Sequence, residues 1–161
     1  MADDSLREDF KQAMRRLATT VAIVTSGGAD SFAGMAATAV MSVTADPPTL
    51  VVAVNRAASM SPVISEHGWF CVNLLAERHG ELVGIFGGKK SGRARFENGD
   101  WRFDDPRAPI LEDAAASLIC ETTGRFDVGT HTLYVGGVRS IVNHPLIDPL
   151  IWVDGRLATA G

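Results

Sequence analysis

Residues 34–56, GMAATAVMSVTADPPTLVVAVNR, constrain the fold of this chain more than any other stretch. A run of small side chains, Gly34, Ala36, Ala37 and Ala39, leads through Asp46-Pro47-Pro48 to the apolar segment Thr49 to Val54, which ends at Asn55-Arg56. Adjacent prolines cannot sustain a strand ladder, so the chain turns back there. Thr49 to Val54 then reads as a buried strand. The small residues leave backbone N–H and C=O groups open from one side, either to a crossing neighbour or to a flat ligand.

The other segments follow the same grammar. Ser5 to Ala18 reads as a helix, with capping-box spacing at Ser5–Glu8 and with Leu6, Phe10, Met14 and Leu17 on one face. Val21 to Thr25 is a strand, and Ser26 to Asp30 is turn chemistry that makes it the first arm of a hairpin. Phe32 to Thr44 continues as a strand, in which Thr38 and Ser42 would share a face. Ser61 to His67 is a short helix with Pro62 in its first turn. Trp69 to Leu75 is a strand, and Leu82, Val83 and Phe86 give Glu77 to Phe86 helical spacing. Leu118 to Arg125 and Thr132 to Val142 are strands flanking Phe126 to His131, and Ile151 to Leu157 closes the chain. Many short strands with helices at the margins point to a closed or nearly closed antiparallel barrel, one domain over 1–161. Regular strand–helix alternation, the mark of a doubly wound sheet, is absent.

A formal net charge of −4 argues against nucleic acid and anionic membrane as partners, since both need basic surface. No apolar run approaches the roughly 18 residues of a membrane span. The acidic start MADDSLRED is unlike a secretory signal, and a cytoplasmic location is expected. In that setting Cys71 and Cys120, both in apolar strand-like contexts, read as reduced core thiols rather than a disulfide.

No G-x-G-x-x-G fingerprint is present, and Gly88-Lys89 is no P-loop, because Val83 stands where the first glycine belongs. There is no G-x-S-x-G elbow and no evident acid/base pair. What remains is chemistry suited to a flat cofactor. The 34–39 backbone suits a hydrogen-bonding ring edge, or else tight strand packing. Asn55, Arg56 and Ser59 bring an amide, a guanidinium and a hydroxyl, suited to a phosphate or polyol chain. Lys89, Lys90, Arg93 and Arg95 form a basic cluster, most of it read as solvated loop. His67, His79 and His144 sit in polar contexts and read as surface residues, whereas His131 starts a strand after a glycine turn.

The 34–48 segment resembles the pattern GMTATAV-x-SVSADPP of the short-chain flavin reductases, the NAD(P)H:flavin oxidoreductase components of two-component flavin-dependent monooxygenases. It departs at Ala36, where threonine is usual, and at Thr44, where serine is usual. Asn55-Arg56-Ala57-Ala58-Ser59 is similar to the family's Asn-Arg-x-x-Ser. Phe86-Gly87-Gly88, Arg95-Phe96 and Gly129-Thr130-His131-Thr132 fit further landmarks, while Gly136-Gly137-Val138 lacks the charged residue often found there. The resemblance spans roughly Phe10 to Leu157. It implies the split β-barrel, FMN-binding fold, mainly β with peripheral helices, and a homodimer with flavin near the subunit interface. It implies a flavin site at Gly34, Met35, Ala36, Ala37 and Thr38, at Ser42, Val43, Thr44 and Ala45, at Asn55, Arg56 and Ser59, and at Phe86, Lys89 and Arg95. His131 is expected near the nicotinamide of NADH. Hydride would pass from NADH to FAD, or to FMN, for delivery to a partner monooxygenase. Two other readings stay open: an enzyme that holds FMN tightly and acts on its own substrate, and a non-catalytic flavin-binding module.

Overall fold

The computed structural model describes residues 3–161. The chain is mainly β, with short helices at its margins. In order come α1 (Asp4–Met14), β1 (Thr19–Thr20), β2 (Ala22–Gly28), β3 (Ser31–Ala37), β4 (Val40–Ala45), β5 (Pro48–Asn55), α2 (Met60–His67), β6 (Trp69–Leu74) and α3 (Gly80–Gly84). β7 (Trp101–Arg102), β8 (Ile110–Leu111), β9 (Ala116–Val128), β10 (His131–Asn143), β11 (Leu150–Val153) and β12 (Arg156–Thr159) follow.

The main sheet has the order β3-β2-β6-β9-β10-β5-β4, antiparallel at every step. Its two outer strands, β3 and β4, are consecutive in the chain and separated only by Thr38 and Ala39. A trans peptide advances about 3.8 Å between Cα atoms, so two residues cannot bridge a flat sheet of seven strands. The sheet therefore curls until its edges approach at Thr38–Ala39. No ladder joins β3 to β4, so hydrogen-bonded closure, one form of the expected barrel, is not present. What results is a rolled sheet with an unpaired seam. At the corner Val40 N–H donates to Thr38 O at 3.0 Å and Ala53 N–H to Ala39 O at 3.1 Å.

β2 is buried on both faces, which explains its unbroken apolar run. Val24 faces an inner core with Val52, Val54, Phe70, Val72 and Tyr134, and Met60 and Ile64 of α2 plug that core. Ile23 points the other way, toward Leu75, Leu82, Phe86, Phe96 and Leu111. Gly136 at a β-bulge has a steric reason, since a Cβ there would lie 2.5 Å from Phe70 Cζ and 2.8 Å from Cys120 Cβ. Cys120 stands opposite Phe70 and Cys71 opposite Ile119, so the two thiols point to opposite faces of the sheet. Both are free, and burial pushes the Cys120 thiol up to about 12 and Cys71 higher still, which keeps them inert.

Several expectations need correction. α1 ends at Met14, and Asp3 rather than Ser5 caps it, accepting from Ser5 N–H. Its apolar face is real, but Leu6, Phe10, Met14 and the following Leu17 are all exposed. Phe32 to Thr44 is two strands with a corner, so Thr38 and Ser42 do not share a strand face. Glu77 to Phe86 breaks into a short turn, α3 and a wide turn over Ile85–Lys89 in which Gly88 takes φ +128°. The β9–β10 hairpin is longer than expected, with only Gly129 and Thr130 at its tip. His79 is buried rather than on the surface. Its Nδ1 accepts from Ala76 N–H at 2.9 Å, and Nε2 lies 3.1 Å from Asp113 Oδ1. Burial alone would raise the Asp113 carboxyl, but hydrogen bonds from His79 and Arg78 outweigh it and hold the group below the usual carboxylate range.

Among the described residues no helix is long and apolar enough to cross a membrane.

Candidate functional site

A cleft of about 370 Å³ opens where β3 and β4 part. Met35, Ala36, Ala37, Thr38 and Ala39 of the seam form one wall, and Ala53 and Asn55 of β5 form the floor. Val52 and Val54 turn inward to the core, so Ala53 and Asn55 lie on the outer face of the curled sheet. Ala58, Ser59 and Met60 close one end, Phe86, Gly87 and Arg95 the other, and His131 stands beside Asn55. Asn55 and His131 are direct cross-strand partners, which sets their spacing by backbone register. A second cleft of about 400 Å³ shares Ala36, Ala37, Thr38 and Gly87 and extends to Val83, Gly84 and Trp152.

Three of the polar groups, Asn55, His131 and Arg95, are oriented by neighbours. Asn55 Oδ1 accepts from Ala57 N–H at 2.9 Å, which leaves its amide NH₂ as the free donor. His131 Nδ1 pairs with Thr130 Oγ1 at 2.9 Å, which leaves Nε2 for a ligand. Arg95 donates from Nε to Lys90 O at 2.8 Å and from a terminal nitrogen to Gly34 O at 2.7 Å. It thus laces the Ile85–Lys89 turn to β3 while its charge remains at the cleft. Phe86 is held edge-on against Phe96, with ring centroids 5.1 Å apart. No carboxylate is among the lining residues, so the Arg95 guanidinium makes the site electropositive within an acidic protein.

The lining suits a flat heteroaromatic ligand with a polar tail. Ala36, Ala37, Ala39, Ala53, Ala58 and Gly87 give walls without bulk, which any larger side chain would fill. Thr38, Asn55, Ser59, Arg95 and His131 supply hydrogen bonds around that surface. An isoalloxazine ring with a ribityl phosphate has this distribution of flat apolar face, hydrogen-bonding edge and anionic tail.

Nine expected residues meet here: Met35, Ala36, Ala37, Thr38, Asn55, Ser59, Phe86, Arg95 and His131. The others lie outside the cleft. Gly34 sits behind it, and a Cβ there would come within 2.8 Å of Phe96 Cζ. Ser42, Val43, Thr44 and Ala45 are exposed on β4. The Thr44 hydroxyl accepts from Asp46 N–H at 3.1 Å and so serves the turn. Arg56 does not present a free fork for phosphate, because its guanidinium donates to His131 O at 2.8 Å and to Gly129 O. It clamps the hairpin tip that carries His131. Lys89 is not part of the lining either. Ala53, Ala58, Met60 and Gly87 were not expected as site residues, while Ala39 was read only as part of the small-residue run. For Ala53 a signal existed, since it alternates with Val52 and Val54 and shares the face of Asn55.

Fold and cleft together define a small, mainly β protein with a bulk-free, polar-rimmed cleft on the outside of its curled sheet. The chain belongs to the flavin reductase like domain family, which matches residues 14–161, and is an oxidoreductase. It is 40% identical over 153 residues to the FMN reductase (NADH) RutF 2 of Rhizobium rhizogenes strain K84, covering 95% of this chain and 88% of the relative. Among solved structures it is similar to the flavin reductase PheA2, with TM-score 0.85 and 28% identity over 99% of each chain. It is also similar to BorF, the flavin reductase component of a bacterial two-component tryptophan halogenase. That match has TM-score 0.85 and 26% identity, over 95% of this chain and 97% of BorF.

Proposed function

We propose that this chain is an NADH-dependent flavin reductase that releases reduced flavin to a separate flavin-dependent monooxygenase. The observation that carries this reading is the cleft at the seam, with bulk-free walls and Asn55, Ser59, Arg95 and His131 at its rim. A relative named as an FMN reductase (NADH) supports NADH as donor, and weighs toward FMN where the sequence reading placed FAD first. In this reading the rolled sheet with its open seam is a split β-barrel, and 1–161 is one flavin reductase domain.

A bound flavin supplies the ring that accepts the hydride carried by NADH. The chain's own residues bind, orient and exclude water. Ala36, Ala37 and Ala53 let a ring lie against the backbone, and backbone donors of the seam stabilise negative charge that grows at its edge. Asn55 and Ser59 orient the polar tail, and Arg95, at the other end of the cleft, offers its cation to an anionic group of the ligand. Phe86 and Met60 shut water from the two ends. His131 offers Nε2 to the nicotinamide carboxamide, which aligns the donor at close range. No general acid is required for hydride transfer, consistent with a lining that holds no carboxylate.

The chain is proposed to act as a cytoplasmic homodimer, with neither nucleic acid nor membrane as partner. The uncovered apolar side chains Leu6, Phe10 and Met14 of α1 and Met41 and Val43 of β4 support the dimer, because a second copy could bury them. With NADH, flavin and air alone the chain should yield hydrogen peroxide and no hydroxylated aromatic.

NADH oxidation measured with and without added free flavin tests the reading. Turnover that rises saturably with free FMN or FAD is expected. Flavin-independent turnover would instead indicate tightly held FMN, and binding without oxidation a non-catalytic module. In the same assay His131→Ala should raise the KM for NADH roughly tenfold, the loss of about 1.4 kcal/mol of hydrogen bonding, with flavin Kd little changed. Equal weakening of both ligands would remove His131 from the nicotinamide.

A further inference from the structure

The inward faces of β9 and β10 change character near their shared hairpin tip. Tyr134 still belongs to the inner core, but the next inward position on β10 is Thr132, and the paired positions on β9 are Arg125 and Asp127. Where apolar side chains would continue the core, these polar ones open another cleft, of about 440 Å³, against Ser61 and Ser65 of α2. It lies across Arg56 from the seam cleft and shares no lining residue with it.

We propose that this cleft is a binding site for a phosphoryl oxyanion. Arg125 donates to Ser65 Oγ at 2.7 Å, which leaves most of its five N–H donors free. Asp127, the one carboxylate here, is already engaged, lying 3.7 Å from Arg56 and accepting from the Thr132 hydroxyl at 2.7 Å. The charge left over is positive. Ser61 and Pro62 place the first turn of α2 at the cleft, adding the partial positive charge of a helix N-terminus.

The independent sign of a ligand is Tyr134. Only 2% of this residue is exposed, yet its hydroxyl hydrogen-bonds to none of the described residues, nor is it among the polar atoms sealed from solvent. A phenol buried to this degree ordinarily has a partner, and the cleft is where this one can find it. Guanidinium, phenol and serine donors converge from β9, β10 and α2. Donors arriving from three sides suit the several oxygens of a phosphoryl group better than a planar carboxylate.

Inorganic phosphate titrated into the whole protein by calorimetry tests the site, whether or not the chain reduces flavin. One saturable phosphate per chain is expected. Arg125→Gln should weaken it by roughly 10- to 100-fold, and Tyr134→Phe by roughly 2- to 10-fold. Thermal melts should show Tyr134→Phe as stable as the parent, because its hydroxyl has no protein partner to lose. If saturating FMN leaves phosphate affinity unchanged, the occupant is a free anion. If FMN competes and riboflavin does not, the occupant is the phosphate of the flavin itself. Either result supports the site. Failure to saturate, or binding that neither substitution alters, would overturn it.

Discussion

Replacing Ala53 with leucine should cut flavin affinity by roughly 10- to 100-fold, about 1–3 kcal/mol of overpacking, while the protein stays folded. Ala53 lies on the outer face of β5 between two inward-facing valines and is half-buried at the cleft floor. A leucine there would occupy the space that a flat ring needs. It would add no bulk to the inner core, and its strand position tolerates a large apolar side chain. Ala37 is a less clean choice, because it lines the cleft and also packs in the inner core. Quenching of flavin fluorescence would report affinity, and a thermal melt of the same sample would report folding. Unchanged flavin binding in a folded variant would move the flavin elsewhere.

Asn73→Leu should have the larger effect on stability, roughly 3–5 kcal/mol, a major fraction of the total for a domain of this size. Asn73 is fully buried, and its side chain is a hub between strands. Its Nδ2 donates to Ile23 O at 3.0 Å and to Thr25 Oγ1 at 3.3 Å. Its Oδ1 accepts from Leu111 N–H at 2.9 Å and from Ser117 Oγ at 3.1 Å. Those contacts join β6 to β2, β8 and β9. Leucine would strand a buried carbonyl, a buried N–H and a hydroxyl together, and a network loses more than one average bond when its centre goes. Urea melts of variant and parent measure the loss, and a difference below about 1 kcal/mol would mean that the network contributes little.

Much of this was legible because local chemistry decided it. The prolines at 47 and 48 dictate the β4–β5 reversal, and the β-branched run at 21–25 announces a strand. The small residues at 34–39 stand out against any ordinary strand. Other features depend on contacts that no segment reveals alone. The corner at Thr38–Ala39 carries neither proline nor glycine, and only the rolling of the whole sheet requires a break there. Ser42 to Ala45 look continuous with the seam, yet the corner takes them to the exposed outer strand. Arg56 has phosphate-binding chemistry, but carbonyls more than seventy positions away engage both terminal nitrogens of its fork. His79 is polar among polar neighbours, yet it is buried, with Ala76 N–H bonded to its Nδ1 and Asp113 Oδ1 3.1 Å from its Nε2. The amphipathic period of α1 was plain, while the described residues leave Leu6, Phe10 and Met14 on its apolar face exposed.

The central claim is that flavin binds in the seam on the outside of the rolled sheet. Determining the structure of the protein saturated with FMN tests it most directly. The account predicts the isoalloxazine ring against Ala36, Ala37 and Ala53, with Asn55 and His131 at its margin. A ring found inside the barrel, against α1 or at the Arg125 cleft would contradict it.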